Sequence, residues 1–122
     1  MDRRFWILGC VFALLAVAAG AFGAHALRDR LPQSLLSIYE TAARYQMYHA
    51  LALLFTAQIH AVWPGRLTRG AGWLFTTGIV LFSGSLYVLS MTGITWLGAI
   101  TPLGGVAFLA GWASLAFAAL RR

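Results

Sequence analysis

Long uncharged stretches dominate the chain and predict its helices. Residues 5–24 carry no charged side chain, and residues 70–120 form a run of 51 positions without Asp, Glu, Lys, Arg or His. A helix crosses a bilayer with about 20 apolar residues, so the first stretch fits one span and the second fits two. The segment "SMTGITWLGAITPLGG", Ser90 to Gly105, concentrates Gly, Thr and Pro and predicts the break between those two spans.

A further span is expected between the two uncharged stretches, where residues 45–65 lack formal charge but include His49, Gln58 and His60. Its hydropathy is lower, yet "ALALLF" lies at its centre, and a span is the best interpretation. The predicted fold is an all-α integral membrane protein, a single membrane domain over residues 1–122 with four transmembrane helices in a compact bundle. The predicted helices cover about residues 4–26, 34–63, 69–91 and 101–120.

The start of the second helix is too polar for hydrocarbon and too regular for a plain loop. A helix from Pro32 to Trp63 would be about 48 Å long, against a hydrocarbon core of about 30 Å. Residues 34–44 are therefore predicted to form an amphipathic interfacial extension, joined to the span either continuously or through a kink. Ser37 and Glu40 have the spacing of a capping box, which would support a helix restart there.

Composition agrees with a membrane protein and disfavours nucleic-acid binding. The chain is 61% hydrophobic and 10% charged, with nine basic and three acidic residues. All nine bases are Arg, scattered or at the chain ends rather than clustered with aromatic residues, so no nucleic-acid partner is expected. Cys10 is the single cysteine, which excludes an internal disulfide.

The distribution of Arg predicts the orientation in a bacterial cytoplasmic membrane. Around four helices, one side receives six arginines and the other receives three. The six are Arg3, Arg4, Arg66, Arg69, Arg121 and Arg122, and the three are Arg28, Arg30 and Arg44. The positive-inside rule then places both termini in the cytoplasm. A signal peptide cleaved near Ala24-His25-Ala26 is the competing interpretation, disfavoured because the apolar run is longer than such segments usually are.

Ionisable and aromatic polar residues gather between the first and second spans and predict a polar cluster on the extracytoplasmic side. Its candidate binding residues are His25, Glu40, Arg44, Tyr45, Gln46, Tyr48 and His49. Glu40 and Arg44 stand four apart, in the favourable order for an intrahelical ion pair at the headgroup surface. In the alternative interpretation, one of them turns inward to meet His25 or His49.

Neither a metal nor a cofactor is expected at this cluster. His25 and His49 from adjacent helices would make an incomplete metal shell, and Cys10 lies at another depth. A bis-histidine haem is equally disfavoured, because intramembrane histidine often serves as a hydrogen-bond donor between helices.

Small residues at helical spacing predict close helix packing in lipid. The candidate packing residues are Gly20, Gly23, Ser83, Gly84, Ser85, Gly104, Gly105 and Gly111.

Four ordered motifs resemble one protein family. They are "GAFGAHAL", "YETAARYQMYHALALL", "LFSGSLYVLSMTGITWLGAITPLGG" and "AGW", and they span essentially the whole chain. The chain is similar to domain-of-unknown-function family 423, small YgdD-like inner-membrane proteins of bacteria. The resemblance implies a four-helix integral membrane protein and supplies no reaction, ligand or catalytic residue.

Three functions from different classes follow from these residues. The favoured one is a noncatalytic membrane protein that binds lipid or a membrane protein partner through the polar cluster and contributes to envelope maintenance. The alternative is a transporter or channel subunit for protons or a small solute, built as an oligomer; the small size and glycine-rich faces also suit a homo-oligomer. A membrane enzyme with His49 as base and Arg44 as anion holder ranks last, because no nucleophile or second acid accompanies them.

Overall fold

The computed structural model describes residues 1–121, and this part of the chain is built from helices joined by short turns. In chain order they are α1 (Arg3–Phe22) with a π-helical continuation (Gly23–Leu27), α2 (Gln33–Val62), α3 (Arg66–Gly78), a π-helical segment (Ile79–Ser83), α4 (Gly84–Thr92), a 3-10 helix (Thr95–Ala99) and α5 (Thr101–Leu120). Since the π-helical segments continue their neighbours, the chain forms four long helices, as predicted.

Three of the four long helices are long and apolar enough to cross a membrane: Arg3–Leu27, Arg66–Thr92 and Thr95–Leu120. The fourth, α2, does not reach that hydropathy because it carries several charged and polar residues. Of these, Gln46, His49 and Thr56 are buried, whereas Glu40, Arg44 and Gln58 are exposed. The helix packs against α1, α3 and α4. The three buried polar side chains therefore face the other helices, and α2 is the central helix of the bundle.

The start of α2 is a continuous helix rather than a separate element. Thirty residues run without a break from Gln33 to Val62, about 45 Å at the rise of an α-helix. The capping-box restart is wrong, because Ser37 and Glu40 both lie inside this helix, where the Thr41 hydroxyl donates to the Ser37 carbonyl. The first turns of α2 accordingly extend beyond a hydrocarbon core of about 30 Å or tilt within it.

Different segments of the chain meet at the two ends of the bundle, which we call the terminal end and the loop end. At the terminal end the Asp2 backbone N–H donates to the Ala57 carbonyl at 3.1 Å. Arg121 lines a cavity there together with residues 64–68, which form the turn after α2 and the start of α3. The loop end holds the turn before Gln33 and the connection of residues 93–100.

Glycines and aromatic rings pack the bundle core. Phe5 and Phe75 are fully buried. A β-carbon added at Gly111 would lie 2.7 Å from the Phe75 ring, and one added at Gly72 would overlap the Phe5 ring. Each ring thus occupies the space that a missing side chain leaves on the neighbouring helix. Close packing of this kind replaces the hydrophobic effect as the force that joins helices in lipid.

The predicted packing residues divide into two groups. Gly23, Gly104 and Gly111 contact aromatic residues of other helices, and Ser83 and Ser85 are buried. By contrast, Gly20, Gly84 and Gly105 have nothing within 4 Å of an added β-carbon, so the prediction of helix contact is wrong for these three within the chain. Spacing alone did not show which face of each helix meets a neighbour.

Asp2 caps α1 and makes its stability depend on pH. The carboxylate accepts hydrogen bonds from the Arg4 backbone at 3.0 Å and from the Arg4 guanidinium at 3.2 Å. The guanidinium bond lowers the pKa of Asp2 below its ordinary value of 3.8, against the opposing effect of burial. A lowered pKa means that the stabilisation is complete above the ordinary value and is lost as the pH falls through the folded-state pKa.

We therefore expect the midpoint of thermal unfolding to fall as the pH is lowered from 5 to about 3. An Asp2→Asn variant should lack that part of the fall, since its side chain does not titrate. Asp29, an exposed residue of the loop end, provides the control. An Asp29→Asn variant that flattened the curve as much as Asp2→Asn would contradict the assignment.

Candidate functional site: a lateral groove between α1 and α4

A groove of about 490 Å³ lies between α1 and α4 and is also lined by α2. We call its polar lining residues, Tyr39, Gln46, Ser83 and Tyr87, the groove floor. Both walls pack on α2, and the volume falls within the usual range of ligand sites. Nearly all of the lining is apolar. The groove is lined by Phe12, Leu15, Ala19 and Phe22 of α1, Tyr39 and Gln46 of α2, Ile79, Val80 and Ser83 of the second π-helical segment, and Gly84, Tyr87 and Met91 of α4.

Gln46 joins both walls of the groove through its amide. Its Nε2 donates to the Phe12 carbonyl of α1 at 2.8 Å, and its Oε1 accepts from the Tyr87 hydroxyl of α4 at 2.8 Å. A backbone carbonyl only accepts, so the NH₂ side of the amide has to face Phe12. The Tyr87 hydroxyl is consequently the donor to Oε1. Gln46 is buried, and this chain of two bonds fixes the separation of the walls.

Two further hydroxyl groups of the floor bind backbone carbonyls of neighbouring helices. Tyr39 donates to the Ala19 carbonyl at 2.7 Å, and Ser83 donates to the Ala42 carbonyl at 2.7 Å. The rings of Tyr39 and Tyr87 meet edge to face, with centroids 5.3 Å apart. All four polar side chains of the groove thus tie α1, α2 and the third long helix together.

One π-helical segment lines the groove, and the other contacts one of its lining residues. The segment Ile79–Ser83 supplies three of the lining residues. In the other segment, Gly23 lies against the Tyr39 ring, which would be 2.6 Å from an added β-carbon. Insertion of one residue into an α-helix shifts the face that the following residues present, and such π-bulges are frequent at functional sites. Here one segment places the Ser83 hydroxyl in the groove, and the other places Gly23 against the Tyr39 ring.

His49 lies in the core against α3 and α5 and has a structural role. Its ring stacks on Phe108 with centroids 3.5 Å apart. Its Nδ1 bonds the Tyr45 carbonyl at 2.8 Å, and its Nε2 lies 3.2 Å from the Trp112 indole nitrogen. A carbonyl accepts and an indole N–H donates, so the histidine is the neutral tautomer with hydrogen on Nδ1. Both ring nitrogens are used, which leaves no lone pair for a metal or for base catalysis.

The residues of the predicted polar cluster do not form one site. Gln46 and His49 are buried and contact different helices, whereas the other five members are exposed: His25, Glu40, Arg44, Tyr45 and Tyr48. Tyr45 contacts the rings of Tyr48 and His49, with centroids 5.5 and 6.3 Å apart. His49 lies sixteen residues after Gln33, near the middle of α2, and so cannot meet His25 at the loop end.

The predicted ion pair of Glu40 and Arg44 is also wrong. Among residues 1–121 the only ion pair is between Arg4 and Asp2, 3.2 Å apart. Both Glu40 and Arg44 are exposed, so the alternative that one turns inward is wrong as well. At this level of α2, Tyr39 and Ala43 occupy the buried face. An enzyme that pairs Arg44 with His49 has no basis in this arrangement.

Sequence reasoning missed most of the groove. It overlooked Tyr39 and Tyr87, and it treated Ser83 only as a packing residue, although Ser83 is a hydrogen-bond donor. A signal was present: Tyr39 and Gln46 are seven residues apart on α2, and Ser83 and Tyr87 are four apart on the third long helix. Such spacing puts each pair on one face of its helix.

The comparisons with known proteins place the chain in a family. A family model described as "Protein of unknown function (DUF423)" matches residues 19–105. The chain belongs to the DUF423 family. The match includes all of α2 and the whole groove apart from Phe12 and Leu15.

Relatives of this DUF423 chain match it over nearly their full length. The UPF0382 membrane protein YwdK of Bacillus subtilis is 52% identical over 120 residues, covering 98% of each chain. A UPF0382 membrane protein of Staphylococcus epidermidis is 50% identical, covering 98% of this chain and 97% of the relative. The UPF0382 membrane protein SH2409 of Staphylococcus haemolyticus is 45% identical over 93% of this chain and 92% of its own length.

No solved structure matches the chain. The family and the helical bundle together identify an integral membrane protein of the DUF423 family.

Proposed function

We propose that this protein is a noncatalytic binder of membrane lipid that holds the hydrocarbon chain of an amphiphile in the groove between α1 and α4. The observation that carries the proposal is an apolar groove whose two walls are membrane spans. A groove between spans opens sideways toward lipid rather than toward water. Its concave shape suits a single hydrocarbon chain better than the face of a partner helix, although a protein partner remains an alternative.

The distribution of arginine supports a specific orientation for this groove. Five of the arginines among residues 1–121 lie in segments that meet at the terminal end: Arg3, Arg4, Arg66, Arg69 and Arg121. The positive-inside rule assigns this end to the cytoplasm of a bacterial inner membrane. On α1 the groove runs from Phe12 toward Phe22, close to the loop end. The proposed ligand therefore comes from the extracytoplasmic leaflet, and a role in envelope maintenance follows from that position.

The chemistry of the groove supports binding without catalysis. Its polar groups are one amide and three hydroxyls, and the hydroxyl protons of Tyr39, Ser83 and Tyr87 are all donated to acceptors within the protein. A hydroxyl that gives its proton to a carbonyl has no general base to activate it as a nucleophile. We propose that these groups hold the groove in shape and contact the ligand.

Filling the groove at Gly84 tests this function. Gly84 lines the groove and has open space around its α-carbon, so a Gly84→Leu side chain occupies the groove without disturbing a helix contact. Gly105 has the same open surroundings but lies on α5 outside the groove, and Gly105→Leu is the matched control. We expect Gly84→Leu to lose most of the lipid that copurifies with the wild-type protein, measured by native mass spectrometry after mild detergent extraction.

Gly105→Leu should retain the same lipid adducts as the wild type. Equal adducts on Gly84→Leu and Gly105→Leu, with unchanged thermal unfolding of both variants, would show that the lipid lies elsewhere. The transporter or channel subunit stays an alternative prediction. Liposome flux of protons and small solutes that rises with added protein and is unaffected by Gly84→Leu would favour it over the groove.

A further inference from the structure

After its internal hydrogen bonds are made, the groove floor has more free acceptors than free donors. Tyr39, Ser83 and Tyr87 each donate their only hydroxyl hydrogen to the protein. No hydrogen bond among residues 1–121 uses the lone pairs of these three oxygens as acceptors. Gln46 uses one hydrogen of its NH₂ group for the Phe12 carbonyl, and the second is free.

We infer that the ligand of the groove is a neutral long-chain alcohol, an amphiphile whose hydroxyl reaches the groove floor beside Gln46 and Tyr87. The inference rests on the proposed function and names its ligand class. A hydroxyl is both donor and acceptor. It can donate to a free lone pair of the Tyr87 oxygen and accept from the free hydrogen of Gln46.

Other lipid groups match this floor less well. A plain acyl chain uses none of the free hydrogen-bonding capacity, and an ester or ketone carbonyl accepts only, so it can bind Gln46 but none of the three oxygens. A charged headgroup is excluded by depth. The Phe12 carbonyl that binds Gln46 is ten residues, about 15 Å, from the end of α1 at Phe22, and placing a charge that deep in hydrocarbon is costly.

The depth of the floor also explains why binding there is favourable for a neutral hydroxyl. In hydrocarbon a hydroxyl without a partner loses the hydrogen bonds it had in water. Polar partners at Gln46 and Tyr87 replace those bonds, which makes the groove a favourable place for a hydroxyl that has left the headgroup layer. A methyl ether of the same chain keeps the shape and loses the donor, and it is therefore the discriminating comparison.

Photocrosslinking in nanodiscs of phosphatidylcholine tests the inference. Two probes are used, a long-chain primary alcohol with a diazirine in its chain and the methyl ether of the same alcohol. We expect the wild-type protein to capture the alcohol about three to ten times more efficiently than the ether, with the crosslinks on peptides of α1 and α4. A Gly84→Leu variant should lose capture of both probes.

A double variant isolates the polar floor. Gln46→Leu combined with Tyr87→Phe removes both hydrogen-bonding groups together and leaves neither without a partner, so the groove keeps its apolar shape. This variant should capture the two probes equally, whereas Tyr48→Phe, which changes a half-exposed tyrosine outside the groove, should keep the wild-type preference.

The outcomes separate the inference from the proposed function. Equal capture of alcohol and ether by the wild type, with loss of both in Gly84→Leu, would overturn the inference that the ligand is an alcohol. The proposal that the groove binds lipid would stand. A preference that persists in a folded double variant would also overturn it, because the hydroxyl would then be recognised elsewhere. Capture of neither probe by the wild type would overturn the groove function and the inference together.

Discussion

Replacing Gly104 by alanine is expected to lower the free energy of unfolding by about 2–3 kcal/mol, although alanine is the better helix former. A β-carbon at Gly104 would lie 2.7 Å from the Phe82 β-carbon and would also overlap the Phe82 backbone. A flexible side chain could turn away, but backbone atoms of the π-helical segment cannot. The two helices would have to separate and lose their contact. Equilibrium unfolding in a mixed micelle measures the effect.

Gly105 gives the matched control, because it is the next residue of the same helix and has open space around it. Gly105→Ala should leave stability unchanged or raise it by up to about 1 kcal/mol, the difference in helix propensity. Equal effects of the two substitutions would show that α5 does not approach the π-helical segment at Gly104.

Replacing Gln46 by leucine is expected to lower the free energy of unfolding by about 1–2 kcal/mol. The substitution removes both bonds that join α1 to α4, and it leaves the hydroxyl of Tyr87 without its acceptor in an apolar setting. An unpaired polar group in hydrocarbon costs more than the hydrogen bond itself contributes. The expected size is limited because membrane proteins find alternative partners when unfolded within the bilayer.

A second substitution, Tyr87→Phe, should restore much of the stability of Gln46→Leu. It removes the hydroxyl that the first substitution left unpaired, so the double variant should be more stable than the sum of the single effects predicts. The double-mutant cycle is measured by the same unfolding experiment. Strict additivity of the two single effects would contradict the hydrogen bond between Tyr87 and Gln46.

The helices could be predicted because their signal is local. Uncharged stretches of residues 5–24 and 70–120 have the lengths that one and two spans need. The buried face of α2 was also readable, since Tyr39, Gln46 and Leu53 recur every seven residues. Part of the low hydropathy of α2 therefore comes from buried polar residues such as Gln46 and His49, which face neighbouring helices.

The site could not be predicted because it depends on how the helices align. The first error concerned the surroundings of His49, which was expected in a polar cluster with His25, whereas its ring packs in the core on Phe108. The pairing of Tyr87 with Gln46 joins residues 41 apart and depends on the π-helical segment before α4. No local pattern marks such a segment, because its extra residue is favoured by tertiary packing around it.

An experimental density map of the wild-type protein in a lipid nanodisc tests the central claim most directly, the claim that a lateral groove between α1 and α4 holds a membrane amphiphile. The account predicts an elongated nonprotein density that follows the groove and ends at Gln46 and Tyr87. A groove closed by direct contact of α1 with α4, or open but without any ordered chain, would contradict it.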